Sequence, residues 1–285
     1  MKRDLHHCLA DMSHRTNVMK RFCSEERLVL IYDDHRYLLN VLFKVFKSES
    51  LQGPPNLVFF DSHDDARRTE KASVLLSLIG VKTLSDASEK QFISFVDYDI
   101  DTNDGNWLSV ACELNLVGDV VLIGNKHGTN VVNDVLEYTS EDGHKHSIFQ
   151  LNAHIDEEIG PRGKLGDVAL DKEFKAIRSF FAYKPSQYYG QIGEMKPFIL
   201  DYDLDYFTLW SEEEGSIPWP QKIWEKRFGR YTPGHTFVRD LMRKAEVITI
   251  SREPDFCESI AGSNYNLQNL DNYFFDGQLG TNLNF

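Results

Sequence analysis

Two short apolar runs in this chain end in alternating acids, and that pattern restricts both the fold and the chemistry. Leu57-Val58-Phe59-Phe60 runs into Asp61-Ser62-His63-Asp64-Asp65, and Pro197-Phe198-Ile199-Leu200 runs into Asp201-Tyr202-Asp203-Leu204-Asp205. A short, continuously apolar run marks a strand buried on both faces, as in a parallel sheet. In extended chain, side chains two apart point the same way. Asp61, His63 and Asp65 therefore converge just beyond one strand. A third run, Leu28-Val29-Leu30-Ile31-Tyr32, leads into Asp33-Asp34-His35. Open α/β sheets bind ligands at this carboxyl edge.

Carboxylates brought to one point repel each other unless a cation lies between them. A solvated polar loop would explain a lone Asp-x-His-x-Asp as well as a metal does. Three strands that each deliver Asp or His are harder to explain as independent accidents. Together they supply His35, Asp61, His63, Asp65, Asp201 and Asp203. These four carboxylates and two imidazoles balance two divalent cations. A carboxylate-rich, thiolate-free set suits Mn(II) ahead of Zn(II), Fe(II) or Co(II).

The rest of the chain is compatible with this reading. At 285 residues and 41% hydrophobic content it can bury a large core. We expect one α/β domain over 1–285, with residues 1–26 a short helix or frayed arm. No apolar run approaches a membrane span, and Met1-Lys2-Arg3-Asp4 leads into no signal-like stretch. Cys8, Cys23, Cys112 and Cys257 show no paired spacing, which points to a reduced, cytoplasmic setting. The net charge of −13 disfavours nucleic acid as a partner and suits metal ions or cationic substrates.

Strands and helices alternate. Helical spacing covers 36–48, 71–79, 86–95 and 107–114, the last capped by Asp104-Gly105-Asn106. Asp119 to Ile123 is a further buried strand, running into Gly124-Asn125-Lys126-His127-Gly128. The stretch 130–146 reads as polar loop, 147–155 as a strand, 170–182 as a helix, and 211–220 as a loop. Thr232-Pro233 opens a helix through Lys244, since Thr caps and Pro suits the first helical position. Val247 to Ser251 is the last strand, ending at Arg252-Glu253-Pro254, and 264–273 closes with a helix. The order predicts a three-layer α/β/α fold around a central, mostly parallel sheet.

With these motifs placed, the chain resembles the arginase/deacetylase superfamily over about 28–254. More narrowly it resembles the arginase-like family that contains peptide arginases, which convert peptidyl-arginine to peptidyl-ornithine in ribosomally made peptides. Asp61-Ser62-His63-Asp64-Asp65 is similar to the ureohydrolase Asp-Ala-His-x-Asp motif, and Asp201-Tyr202-Asp203 to its Asp-x-Asp motif. His35 matches by order the histidine that precedes both, although it follows Asp33-Asp34 rather than a glycine pair.

The resemblance implies two Mn(II) ions per chain. One would take His35, Asp61, Asp65 and Asp201, and the other His63, Asp61, Asp201 and Asp203, with Asp61 and Asp201 bridging. It implies attack of activated water on the guanidinium carbon, with Asp65 passing a proton to the leaving amine. His127 resembles the proton-shuttling histidine of arginases, although a loop histidine in solvent is the plainer alternative. Glu253 lies where arginases place a glutamate that grips the guanidinium fork. Trp107 is a candidate for the mouth, set against a core role. An arginine-containing precursor peptide is the partner the family implies, with a homo-oligomer also compatible.

Two rivals stand beside this reading. A deacetylase on the same fold usually holds one zinc, and His35, Asp65 and Asp203 would be surplus to it. A haloacid-dehalogenase-like phosphatase would use Asp201-Tyr202-Asp203 but leave the first acidic strand unexplained. A purely structural metal is disfavoured because such sites normally close around one ion.

Overall fold

The computed structural model describes residues 5–10, 12, 16–19, 28–63, 65–100, 105–124, 134–151, 159–160, 164–165, 197–211 and 215–279. Among the described residues the strands are β1 (Thr16–Met19), β2 (Leu28–Tyr32), β3 (Asn56–Phe60), β4 (Val120–Ile123), β5 (Asp134–Thr139), β6 (Lys145–Leu151), β7 (Ile159–Gly160), β8 (Lys164–Leu165), β9 (Phe198–Asp203), β10 (Thr208–Ser211), β11 (Gly215–Pro218) and β12 (Val247–Ser251). Eight of them form one sheet in the order β1-β2-β12-β9-β3-β4-β6-β5. The six strands from β2 to β6 run parallel, and β1 and β5 pair antiparallel at the two edges.

Helices cover both faces, because successive strand residues point to opposite sides. Val29, Ile31, Val58, Phe60, Leu200 and Tyr202 pack on one side with helices Gln221–Phe228, Pro233–Lys244 and Ile260–Leu270. Leu28, Leu30, Leu57, Phe59 and Ile199 pack on the other with helices Leu38–Ser48, Glu89–Tyr98 and Trp107–Glu113. The expected three-layer α/β/α architecture is what forms. Every residue of β2, β3, β4, β9 and β12 is buried, as a parallel sheet covered on both faces requires.

Local signals placed several elements well. Thr232 caps helix Pro233–Lys244 by accepting from the His235 N–H, and β2 and β12 have their expected bounds. The helix expected from Asp86 starts instead at Glu89, where Ser88 and Gln91 form a reciprocal capping box. The closing helix begins at Ile260, capped by Ser259, and passes into a π-helical turn over Asp271–Phe275.

Three expectations need correction. Part of the arm forms an edge strand, because Thr16–Met19 pairs with Leu28–Tyr32. The polar stretch expected as loop from 130 contains a hairpin, β5 with β6. Its turn is closed by Ser140 Oγ donating to Asp142 Oδ1 at 2.5 Å and by Gly143 at φ +85°. An edge strand needs no apolar outer face, which is why its sequence reads as loop. The region 211–220 likewise holds the hairpin β10–β11. The expected helix at 170–182 and the loop carrying His127 lie outside the described residues.

Candidate metal centre

Strand register sets the depth of each acid. Phe59 pairs with Asp201 and Phe60 with Tyr202, so Asp61, one residue past β3, lies level with Asp203 at the end of β9. Thr249 pairs with Asp201, and Ser251 with Asp203. Asp201 is thus one pleat deeper than Asp203, about 6.6 Å along the strand at about 3.3 Å per residue. Asp205 follows in the 3-10 turn Leu204–Phe207.

Two groups of ligand atoms result. His35, Asp61, Asp65 and Asp203 bring one ligand atom each within 4.8 Å of one another, and so do Asp61, His63 and Asp205. Asp61 belongs to both. In the first group His35 Nδ1 lies 3.2 Å from Asp61 Oδ2, 3.0 Å from Asp65 Oδ2 and 2.9 Å from Asp203 Oδ2. In the second, His63 Nδ1 is 2.7 Å from Asp205 Oδ2 and 3.7 Å from Asp61 Oδ1.

Five of the six expected ligands come together, and the sixth stands apart. Asp201, expected to bridge both ions, lies behind the His35 ring, with Oδ2 2.7 Å from Nε2. Asp205 takes the place in the second group that was expected for Asp201 and Asp203. The alternation Asp201-Tyr202-Asp203-Leu204-Asp205 already contained it, but spacing alone does not say which two of three alternate acids reach the sheet edge.

The loops that carry these residues are braced locally. Asp61 Oδ1 accepts from His63 N–H at 2.6 Å, and Asp203 Oδ1 accepts from Asp205 N–H at 2.9 Å. Asp65 adopts φ +46°. Its Oδ2 accepts from the indole N–H of Trp107, and its carbonyl accepts from Leu108 N–H at 3.1 Å. Trp107 is buried, with its ring centroid 4.5 Å from that of His35. It supports Asp65 from the core and does not line a mouth. A Cβ on Gly105, at φ +52°, would collide with Asp65 Oδ1.

Glu253 is also buried and has φ +39°. Its Oε1 accepts from the His35 backbone N–H and, at 3.1 Å, from Ser251 Oγ. The two-pronged grip expected for it would compete with those bonds. His63 is the half-exposed member of the site, and its ring meets Phe256 edge-on at 5.6 Å.

Electrostatics test whether cations fit. Two carboxylate charges about 4 Å apart repel by about 4 kcal/mol at an effective dielectric of about 20. Burial, then the neighbouring Asp65, Asp205 and Asp203, raise the Asp61 pKa well above the carboxylate range. Burial and Asp205 do the same to Asp203. Burial opposes ionisation of Asp205 too, but the His63 imidazole and the Ser62 N–H outweigh it and bring it to about 2. Burial also opposes charge on His35, yet Asp201 and Asp203 raise its pKa well above the usual value.

His35 Nδ1 and Asp61 Oδ2 are buried without a hydrogen-bond partner, although they face each other. A donor atom surrounded by carboxylate oxygens, with no hydrogen bond to satisfy it, is what a cation site presents. The residues fit two divalent ions, with Asp61 between them.

Fold and site together define an α/β protein with a candidate two-metal centre at the carboxyl edge of a parallel sheet. No protein-family model matches the chain, and no curated protein matches it. Among solved structures it is similar to the arginase of Helicobacter pylori, at 12% identity and a TM-score of 0.41, over 96% of this chain and 77% of that one.

Proposed function

We propose that this protein is a metal-dependent hydrolase that cleaves the guanidinium of arginine within a peptide, leaving ornithine and releasing urea. The observation that carries the reading is Asp61, shared by two ligand groups that each include a histidine. Two divalent cations, Mn(II) by preference, would supply Lewis acidity and lower the pKa of water there. His35, Asp65 and Asp203 would hold one, His63 and Asp205 the other, with Asp61 common to both.

The chain's own groups would then do the following. Asp65, anchored by Trp107, takes a proton and passes it to the leaving amine. Glu253 orients the guanidinium, whose permanent charge suits a carboxylate. The net charge of −13 favours approach of a cationic substrate. Support for arginine, and for a peptide over the free amino acid, comes from the Asp61–Asp65 motif and the family it resembles.

The test is mass spectrometry of arginine-containing peptides incubated with the protein and Mn(II). Arginine-to-ornithine conversion, abolished by chelator, is the expected result. Protein that carries its metals yet converts neither peptidyl nor free arginine would reject the reading. Acetate release from acetylated amines would replace it with a deacetylase.

A further inference from the structure

We propose that Asp201 is a positioning residue: held by Tyr32 and Thr249, its carboxylate fixes the His35 ring so that Nδ1 faces the metal cluster. The inference rests on the two-metal reading and assigns to Asp201 a role other than ligand.

Asp201 is fully buried within β9, one pleat below the sheet edge. Its Oδ1 accepts from Tyr32 Oη at 2.9 Å and from Thr249 Oγ1. Tyr32 and Thr249 come from β2 and β12, so two further strands of the sheet pin this one carboxylate. Both partners can only donate to a carboxylate, so Oδ2 serves as acceptor for His35 Nε2 at 2.7 Å. The imidazole proton is thereby drawn to Nε2, leaving the Nδ1 lone pair toward Asp61, Asp65 and Asp203.

Packing holds the ring in that orientation. Trp107 lies 4.5 Å from it, centroid to centroid, and Phe59 meets it edge-on at 6.0 Å. A carboxylate behind a metal-binding histidine sets its tautomer and raises its basicity, and losing such a partner typically costs about 10- to 100-fold in metal affinity.

The experiment compares the full chain with Asp201→Asn, Thr249→Val and Asp61→Ala. Mn(II) titration calorimetry gives stoichiometry and affinity, and the visible spectrum of the Co(II)-loaded protein reports ligand geometry. Asp201→Asn should still bind two ions, with one site weakened about 10- to 100-fold and a shifted Co(II) spectrum. Thr249→Val, which loosens Asp201 without touching His35, should shift both readouts in the same direction by less, and it answers the question if Asp201→Asn does not fold. Asp201→Asn losing metal as completely as Asp61→Ala would make Asp201 a ligand and overturn the inference. Wild-type affinity and spectrum in both variants would overturn it equally. If the unaltered chain binds no metal, the two-metal reading itself falls, and the inference with it.

Discussion

The His35 imidazole stands between two acids of one strand: Nε2 is 2.7 Å from Asp201 and Nδ1 is 2.9 Å from Asp203. Because these acids are two residues apart on β9, their carboxylates differ in depth, and the ring spans that step. The deeper acid meets hydroxyls inside the sheet, while the shallower one joins the cluster at its edge.

Asp61 is the residue whose loss should empty both sites. Asp61→Ala is expected to reduce bound Mn(II) from about two per chain to a residual trace. His63→Ala should lower the content by about one, since it touches only the second group. Elemental analysis after gel filtration distinguishes these outcomes, and equal losses in both variants would contradict the shared position of Asp61.

Chelation should destabilise the folded chain, because buried acids then face one another unscreened. At metal about 100-fold above its dissociation constant, binding adds about 2.7 kcal/mol, which corresponds to roughly 4–5 °C in Tm for a chain of this length. The shift should be larger at neutral pH than in acid, where ligands must first lose protons. Calorimetric scans with and without chelator measure it, and identical Tm values would argue against a resident metal.

Gly105 and Gly53 both have positive φ, yet only Gly105 packs against a ligand. Gly53→Ala should cost about 1–2 kcal/mol from the left-handed backbone alone, with metal binding unchanged. Gly105→Ala adds a collision with Asp65 and should lower metal affinity as well. Denaturant unfolding paired with Mn(II) titration separates strain from ligand displacement.

Glu253→Gln should keep the metals, because the amide oxygen can still accept from the His35 N–H. Turnover of arginine peptides should fall by about 3–5 kcal/mol of transition-state stabilisation, the scale for breaking one side of a buried ion pair. Near-wild-type rates in the metal-loaded variant would remove Glu253 as the guanidinium anchor.

His146 supplies a pH dependence away from the metal centre. It is buried, and desolvation is the main cause of its lowered pKa. The unfolded chain takes up the proton near about 6.5, whereas the folded chain resists it. Stability is therefore full above that value and declines as pH falls through it. Unfolding free energies from pH 7.5 to 5 should show this slope, and His146→Gln should flatten it.

The apolar runs 28–32 and 57–60, and the β-branched run 247–251, made the parallel sheet legible, because burial on two faces leaves strands with no charged residue to alternate. The Asp61-Ser62-His63-Asp64-Asp65 stretch and His35 marked the site for a similar reason: such residues at strand ends lie where ligands bind. The strand read at 147–155 is β6, over Lys145–Leu151, but the edge strand β5 was not legible, since a strand with one solvated side has a composition close to that of a loop. Nor could spacing tell Asp201 from Asp205. Three alternate acids look equivalent along a chain, and only pairing with β3 and β12 sets which lies inside the sheet and which beyond it. Trp107 and Glu253 follow the same rule: sequence marked them as candidates, but packing turned one toward Asp65 and the other toward the His35 backbone. Local sequence marked the strand ends where the candidate ligands gather, and strand register, a property of several strands at once, decided which of them reach the sheet edge and at what depth.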